Sequence, residues 1–173
     1  VKGIGKFLDM AEKIHEQIDR KVHFFVVGPI HDSQKKYGRR LQSRAQNSKC
    51  SIHFTGHSDK VPQMLSAADV YVCSSKFEAS PISVWEAMSM KLPVVSTDVG
   101  DLCHFLEDPN RPAGSVVEVG NSSALADKVL RLLKDEQLRD QYGENARKVA
   151  QDELSLEICA QKHADIYREI ISR

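Results

Sequence analysis

The sequence predicts an α/β fold, a Rossmann-like parallel sheet with helices on both faces. Three observations carry that expectation. Short runs rich in Val, Ile and Phe recur at residues 22–27, 51–54, 70–73, 94–96 and 116–117. Between them lie longer stretches whose apolar residues return every three or four positions, the period of a helix with one buried face. The runs are nearly continuous in apolar character, as strands covered on both faces require, and helix-length crossovers separate them, as parallel pairing requires.

The elements follow in order. Ile4, Phe7, Leu8, Ala11, Ile14 and Ile18 fall on one face of an opening helix. Residues 22–27 form a strand closed by the turn pair Gly28-Pro29. A polar, basic helix over residues 32–47 turns little more than Tyr37, Leu41 and Ala45 inward. Residues 51–54 read as a strand, 62–68 as a short helix and 70–73 as a buried strand. Ser80 is a natural N-cap and Pro81 fits the first helical position, where a missing N–H costs nothing, so the next helix is expected to start there. The strand at 94–96 repeats the unit, and Val116-Val117 is the last short strand. Leu125, Val129, Leu132 and Leu133 then mark one helix. Leu138, Tyr142, Ala146 and Val149 mark a second, and Cys159, Ile166, Tyr167 and Ile170 a third.

A chain of 173 residues with 41% hydrophobic content fits one domain with a substantial core. Its 24 basic and 24 acidic residues balance, so nothing in the charge calls for nucleic acid or an acidic membrane surface. Cys50, Cys73, Cys103 and Cys159 lie far apart without Cys-x-x-Cys spacing, which points to reduced thiols in a cytoplasmic protein rather than a disulfide framework or zinc site. No apolar run approaches the ~20 residues that span a bilayer, so no transmembrane segment is expected. None of the seven histidines forms His-x-His or His-Glu-x-x-His, and no metal site is expected.

In such a sheet the ligand crevice lies beyond the C-terminal strand ends. The loops expected there are residues 28–33, 56–61, 74–81 and 97–101. The third carries the most telling stretch of the chain, with Glu78 just before a helix start and Glu86 inside that helix. The free N–H groups and positive dipole end of the helix form an anion site between two carboxylates. Phosphates and hydroxyls together suit that arrangement, and a nucleotide sugar carries both.

An ordered series of segments carries a resemblance along nearly the whole chain: Lys2-Gly3-Ile4, Val26-Val27-Gly28, Phe54-Thr55-Gly56, Ala67-Ala68-Asp69-Val70, Glu78-x7-Glu86 with Glu86-Ala87-Met88, Pro93-Val94-Val95, and Leu132-Leu133-Lys134-Asp135. Together they resemble the C-terminal, donor-binding half of retaining glycosyltransferases with the GT-B fold, and within that fold the group called glycosyltransferase family four. The resemblance implies a transferase that moves a sugar from a nucleotide diphosphate sugar, UDP- or GDP-linked, to an acceptor hydroxyl, in a setting such as polysaccharide biosynthesis. It implies no further cofactor. By resemblance Glu86 accepts hydrogen bonds from both ribose hydroxyls. Glu78 approaches the transferred sugar, as the candidate catalytic residue. Backbone amides around Ser80, Ile82 and Ser83 reach the sugar and diphosphate, and Lys2 pairs with the diphosphate. Gly28 lets a ligand or a neighbouring backbone approach, or is a plain strand-end turn. His57 and Ser58 lie in a loop near the base in relatives.

The same resemblance makes residues 1–173 a single domain expected to lack its first strand and a separate N-terminal acceptor domain, onto which the last helix crosses back. Alone it is expected to be inactive, and any membrane association would be peripheral, through the N-terminal domain. Three places depart from the family pattern. No glycine lies between Glu78 and Glu86, Asp101 stands where a second glycine commonly follows Gly100, and His104 replaces a glutamate. Other readings therefore stay open: a nucleotide-sugar epimerase or phosphorylase on the same fold, or a catalytically silent binding or assembly module.

Overall fold

The computed structural model describes residues 2–172. Five strands, β1 (His23–Val27), β2 (Ser51–Gly56), β3 (Tyr71–Cys73), β4 (Val94–Thr97) and β5 (Gly114–Val117), alternate with the first five of eight helices. Those are α1 (Ile4–Gln17), α2 (Lys35–Gln46), α3 (Val61–Ser66), α4 (Ile82–Ser89) and α5 (Leu102–Leu106); α6 (Ser122–Lys134), α7 (Glu136–Glu153) and α8 (Leu156–Ile171) end the chain. Every strand pairing is parallel. The predicted α/β class holds, with one difference in the sheet. It is hydrogen-bonded in two pieces, β1-β2 and β3-β4-β5.

One core joins the pieces. Phe24 of β1, Val95 of β4 and Val117 of β5 pack with Met10, Ala11 and Ile14 of α1 and Leu125, Ala126, Val129 and Leu130 of α6. On the opposite face Cys73 and Val94 pack with Val84 and Met88 of α4, Leu102 and Leu106 of α5, and Ala146, Val149 and Ala150 of α7. Adjacent residues Val94 and Val95 thus serve opposite layers, the period-two geometry of a strand covered on both sides. All four β4 residues are buried. Burying one Leu, Ile, Met or Val fully contributes about 1.5–3 kcal/mol, and Leu8, Met10, Ile14, Met88, Leu102, Leu106 and Leu125 are all at 0% exposure. Helices cover both faces of β3-β4-β5. On β1 and β2 the second face differs: His23, Phe25, Val27, His53 and Thr55 are exposed.

Local chemistry sets the helix ends. Side-chain oxygens of Asn121, Asp135 and Ser155 accept the N–H groups of Ala124, Leu138 and Ile158, capping α6, α7 and α8. The helix expected over residues 32–47 divides into a 3-10 turn, Asp32–Gln34, and α2. Its buried side is Gly38, Leu41 and Ala45, while Tyr37 points outward beneath the Arg40 guanidinium, 5.3 Å from the ring centre. Five-residue α5 escaped the sequence pattern because a helix of little more than one turn shows no period. The expected start of α4 moves as well. Pro81 is the N-cap, extended at ψ 95°, and its carbonyl accepts the Val84 N–H.

Lys91, just past α4, is the one non-glycine among the described residues with positive φ, 61°. A left-handed residue other than glycine costs about 1–2 kcal/mol, and the exposed Lys91–Glu144 ion pair at 2.5 Å returns little against it. Lys91→Gly is therefore expected to raise the urea midpoint modestly, by about 0.5 kcal/mol of stability. A lowered midpoint would refute the strain.

Candidate functional site

The site forms where β3 ends, at the start of α1 and the start of α4. Gly3 is the N-cap of α1, with φ 63°, and its carbonyl accepts the N–H groups of Lys6 and Phe7. A Cβ there would lie 1.7 Å from the Ser74 carbonyl oxygen. Glycine is thus required both by the left-handed backbone and by the close approach to β3. Ser74 Oγ lies 3.2 Å from the Lys2 carbonyl and 3.3 Å from the Gly3 carbonyl, which fastens the chain start to the strand end.

That fastening brings Lys2 to Glu78. The Lys2 ammonium donates to Glu78 Oε1 at 2.7 Å, and Ser75 Oγ–H donates to the same oxygen at 2.7 Å. Burial pushes the Glu78 carboxyl up. The hydrogen bonds from Lys2 and Ser75, with the charge of Lys2, outweigh it and hold the group below the ordinary carboxylate range. A carboxyl with a lowered folded value stabilises the fold above its unfolded pKa, and the contribution is lost as pH falls through the folded value. Urea unfolding across an acid series is therefore expected to show wild type losing its stability advantage over Glu78→Gln as pH falls through and below the usual carboxylate range. A constant difference would contradict the pairing.

The loop after β3 is supported from β4. Thr97 Oγ1–H donates to the Ser75 carbonyl at 2.6 Å, and both residues are buried. Gly100, in the turn after β4, has φ 59°, and a Cβ on it would lie 2.4 Å from the Ala79 carbonyl oxygen. The turn Asp98-Val99-Gly100 thus lies directly against the Glu78-Ala79 backbone. Asp101 adopts φ −101°, open to any residue, so the departure from a second glycine costs no backbone strain. The exposed His104 ring packs edge-on against Phe105.

At the start of α4 the N–H of Val84 is taken by the Pro81 carbonyl. Among the described residues, the amides of Ile82 and Ser83 remain as the outward donors of the first turn. Tyr71 of β3 lies beneath that turn. Burial pushes its phenol up, while a hydrogen bond with the Ser83 side chain lowers it, with Glu86 and Glu78 among the charges that raise it. Ser80 does not cap the helix. Its hydroxyl accepts the Trp85 indole N–H at 3.1 Å, because a half-buried indole needs an acceptor and Pro81 already occupies the cap position. Glu86 is exposed, and among the described residues its carboxylate makes no hydrogen bond or ion pair.

The structure therefore brings together Lys2, Ser75 and Glu78, with Ile82, Ser83 and Glu86 on the adjoining helix start. Gly28 lies at the end of β1. Its N–H is bound to the Gly56 carbonyl at 2.9 Å, and no described hydrogen bond joins it to the Glu78 loop. His57 pairs with Asp59 in an exposed loop. The sequence reading missed Ser75, Thr97 and Gly100 as supports of Glu78. A serine three residues before a loop glutamate was the one local signal available. Two concavities of about 340 and 320 Å³ lie against α7. No described group of three or more His, Cys, Asp or Glu is placed to hold a metal ion, and no described helix is long and apolar enough to cross a membrane.

The profile of the family described as glycosyl transferases group 1 matches residues 1–149. The chain belongs to that family. Among group 1 glycosyl transferases, the alpha-D-kanosaminyltransferase of Streptomyces kanamyceticus is 31% identical over 171 residues, covering 98% of this chain and 43% of the relative. The chain thus spans less than half the length of such relatives. A crystal structure of a TarM mutant from S. aureus, in complex with fondaparinux, alpha-GlcNAc-glycerol and UDP, superimposes with a TM-score of 0.81 at 26% identity, over 96% of this chain and 33% of that one. The C-terminal domain of a glycosyl transferase group 1 protein (LpcC) from Francisella tularensis shares the fold, with a TM-score of 0.78 at 24% identity, over 90% of this chain and 80% of that one. The chain has the parallel α/β architecture of one half of a GT-B fold.

Proposed function

We propose that this chain is the donor-holding half of a retaining glycosyltransferase, which moves a sugar from a nucleotide diphosphate sugar to an acceptor hydroxyl. The observation that carries the reading is the grouping of Lys2, the Glu78 carboxylate and the free amides of Ile82 and Ser83 at one strand end, with Glu86 exposed beside them. In this reading the two oxygens of Glu86 accept the ribose hydroxyls. The helix start and Lys2 meet the charge that develops on the departing diphosphate. Glu78, kept ionised, faces the sugar, where a carboxylate stabilises an oxocarbenium-like centre. The UDP bound in the S. aureus TarM complex supports a uridine donor over a guanosine one.

The relatives' greater length supports a second domain that supplies the acceptor side. Two further observations agree. Helix α8 buries no residue and exposes Leu156, Ile166, Tyr167, Ile170 and Ile171. The sheet is hydrogen-bonded in two pieces with β3 at an edge of the second, and Ser74 holds Lys2 and Gly3 against the end of β3. A strand leading into Lys2 would lie along that open edge. Calorimetric titration with UDP, GDP and the matching nucleosides tests the donor reading. Binding of one diphosphate, lost on removing its phosphates, is the expected outcome. No binding by either nucleotide would count against the site.

A further inference from the structure

Two donors share Glu78 Oε1, and they differ in freedom. The Lys2 side chain is 66% exposed on a four-carbon stem. Ser75 is 3% exposed, and its carbonyl is tied to Thr97 of the central strand β4. The other carboxylate oxygen, Oε2, carries no described partner. An arriving diphosphate bears more than one negative charge and competes with Glu78 for the mobile ammonium, whereas it cannot draw the hydroxyl of a residue locked between two strand ends.

We infer that Ser75 is a positioning residue: its hydroxyl holds Glu78 Oε1 when Lys2 turns to the diphosphate, so that Oε2 is presented to a hydroxyl of the donor sugar. The inference rests on the donor reading above for the sugar itself, but the Ser75–Glu78 link is testable without any ligand. The direction of the link follows from chemistry. An ionised carboxylate only accepts, so the serine must donate, and its donation stabilises the charged form. Losing it frees a carboxylate rotamer that Lys2 alone, on a flexible stem, does not define.

The first arm follows the Glu78 carboxyl by carbon-13 NMR in the ligand-free protein, assigned by its loss in Glu78→Gln. Ser75→Ala is expected to shift the titration upward. Ser75→Cys fills nearly the same volume with a weak S–H donor and is expected to shift it as Ala does. Ser75→Thr, which keeps the hydroxyl, is expected to restore it. The second arm compares affinities for UDP-glucose, UDP-N-acetylglucosamine and GDP-mannose with those for bare UDP and GDP. Ser75→Ala is expected to weaken the sugar nucleotide that binds by roughly tenfold, the loss of one hydrogen bond to a charged group, and to leave the bare nucleotide within about twofold. An unchanged titration in Ser75→Ala, or wild-type behaviour in Ser75→Cys, overturns the inference. So does equal weakening of sugar nucleotide and bare nucleotide, which a general loss of structure would give. If no nucleotide binds even to wild type, the donor reading falls while the titration still decides the role of Ser75.

Discussion

Glu86→Ala is expected to weaken binding of the donor nucleotide by roughly 10- to 100-fold, the worth of hydrogen bonds to a charged acceptor at about 1.5–3 kcal/mol. The side chain is exposed and makes no hydrogen bond or ion pair among the described residues, so the fold does not hang on it. Alanine is also the strongest helix former, and α4 should keep its shape. Thermal unfolding is therefore expected to match wild type while affinity falls, a separation that marks a binding residue. The carboxylate lies one turn past the amides of Ile82 and Ser83, so ribose on Glu86 leaves the diphosphate at the helix start. Calorimetry with whichever of UDP and GDP binds wild type provides the measurement. Affinity within twofold of wild type would sink the assignment.

Gly100→Ala is expected to destabilise the fold by about 2–5 kcal/mol. Two costs add. The left-handed backbone charges about 1–2 kcal/mol to any Cβ, and overpacking a fixed contact costs about 1–3 kcal/mol more. The contact is fixed because each side of it is held. Val99 is buried, the Asp98 N–H is bound to the Val117 carbonyl at 2.7 Å, and the Ala79 carbonyl would lie 2.4 Å from the new methyl. Relief would have to come from the loop that carries Glu78. Urea unfolding with an unchanged slope and a lowered midpoint reads the effect, and the same variant should weaken sugar-nucleotide binding. A loss under about 0.5 kcal/mol would mean that the two turns are not in contact.

The expectations that rested on local pattern correspond to elements of the fold. The apolar face of α1, the β-branched runs of β1 and β4, and the short helix opening between Glu78 and Glu86 are each written in one short stretch of sequence, where period and turn chemistry act. One element too short to show a period, α5, was missed. The start of α4 was displaced by one residue because Ser80 and Pro81 both suit a helix opening. The competition was settled by Trp85, whose indole needed the Ser80 hydroxyl. Gly28 closes β1, and its N–H is bound to the neighbouring Gly56 carbonyl.

The sequence by itself determined the α/β class, the order of strand and helix, and the pair of glutamates flanking a helix start. Each of these follows from backbone geometry and side-chain periodicity over a few residues. Only the tertiary structure decided what surrounds Glu78. Lys2 reaches it from 76 residues away, Thr97 steadies Ser75 from the neighbouring strand, and Gly100 meets the backbone of Ala79. The division of the sheet into two pieces was equally invisible in the sequence. The physical reason is common to all four. Strand pairing and layer packing choose which distant segments touch, and that choice depends on the closure of the whole core, which no local stretch of sequence encodes.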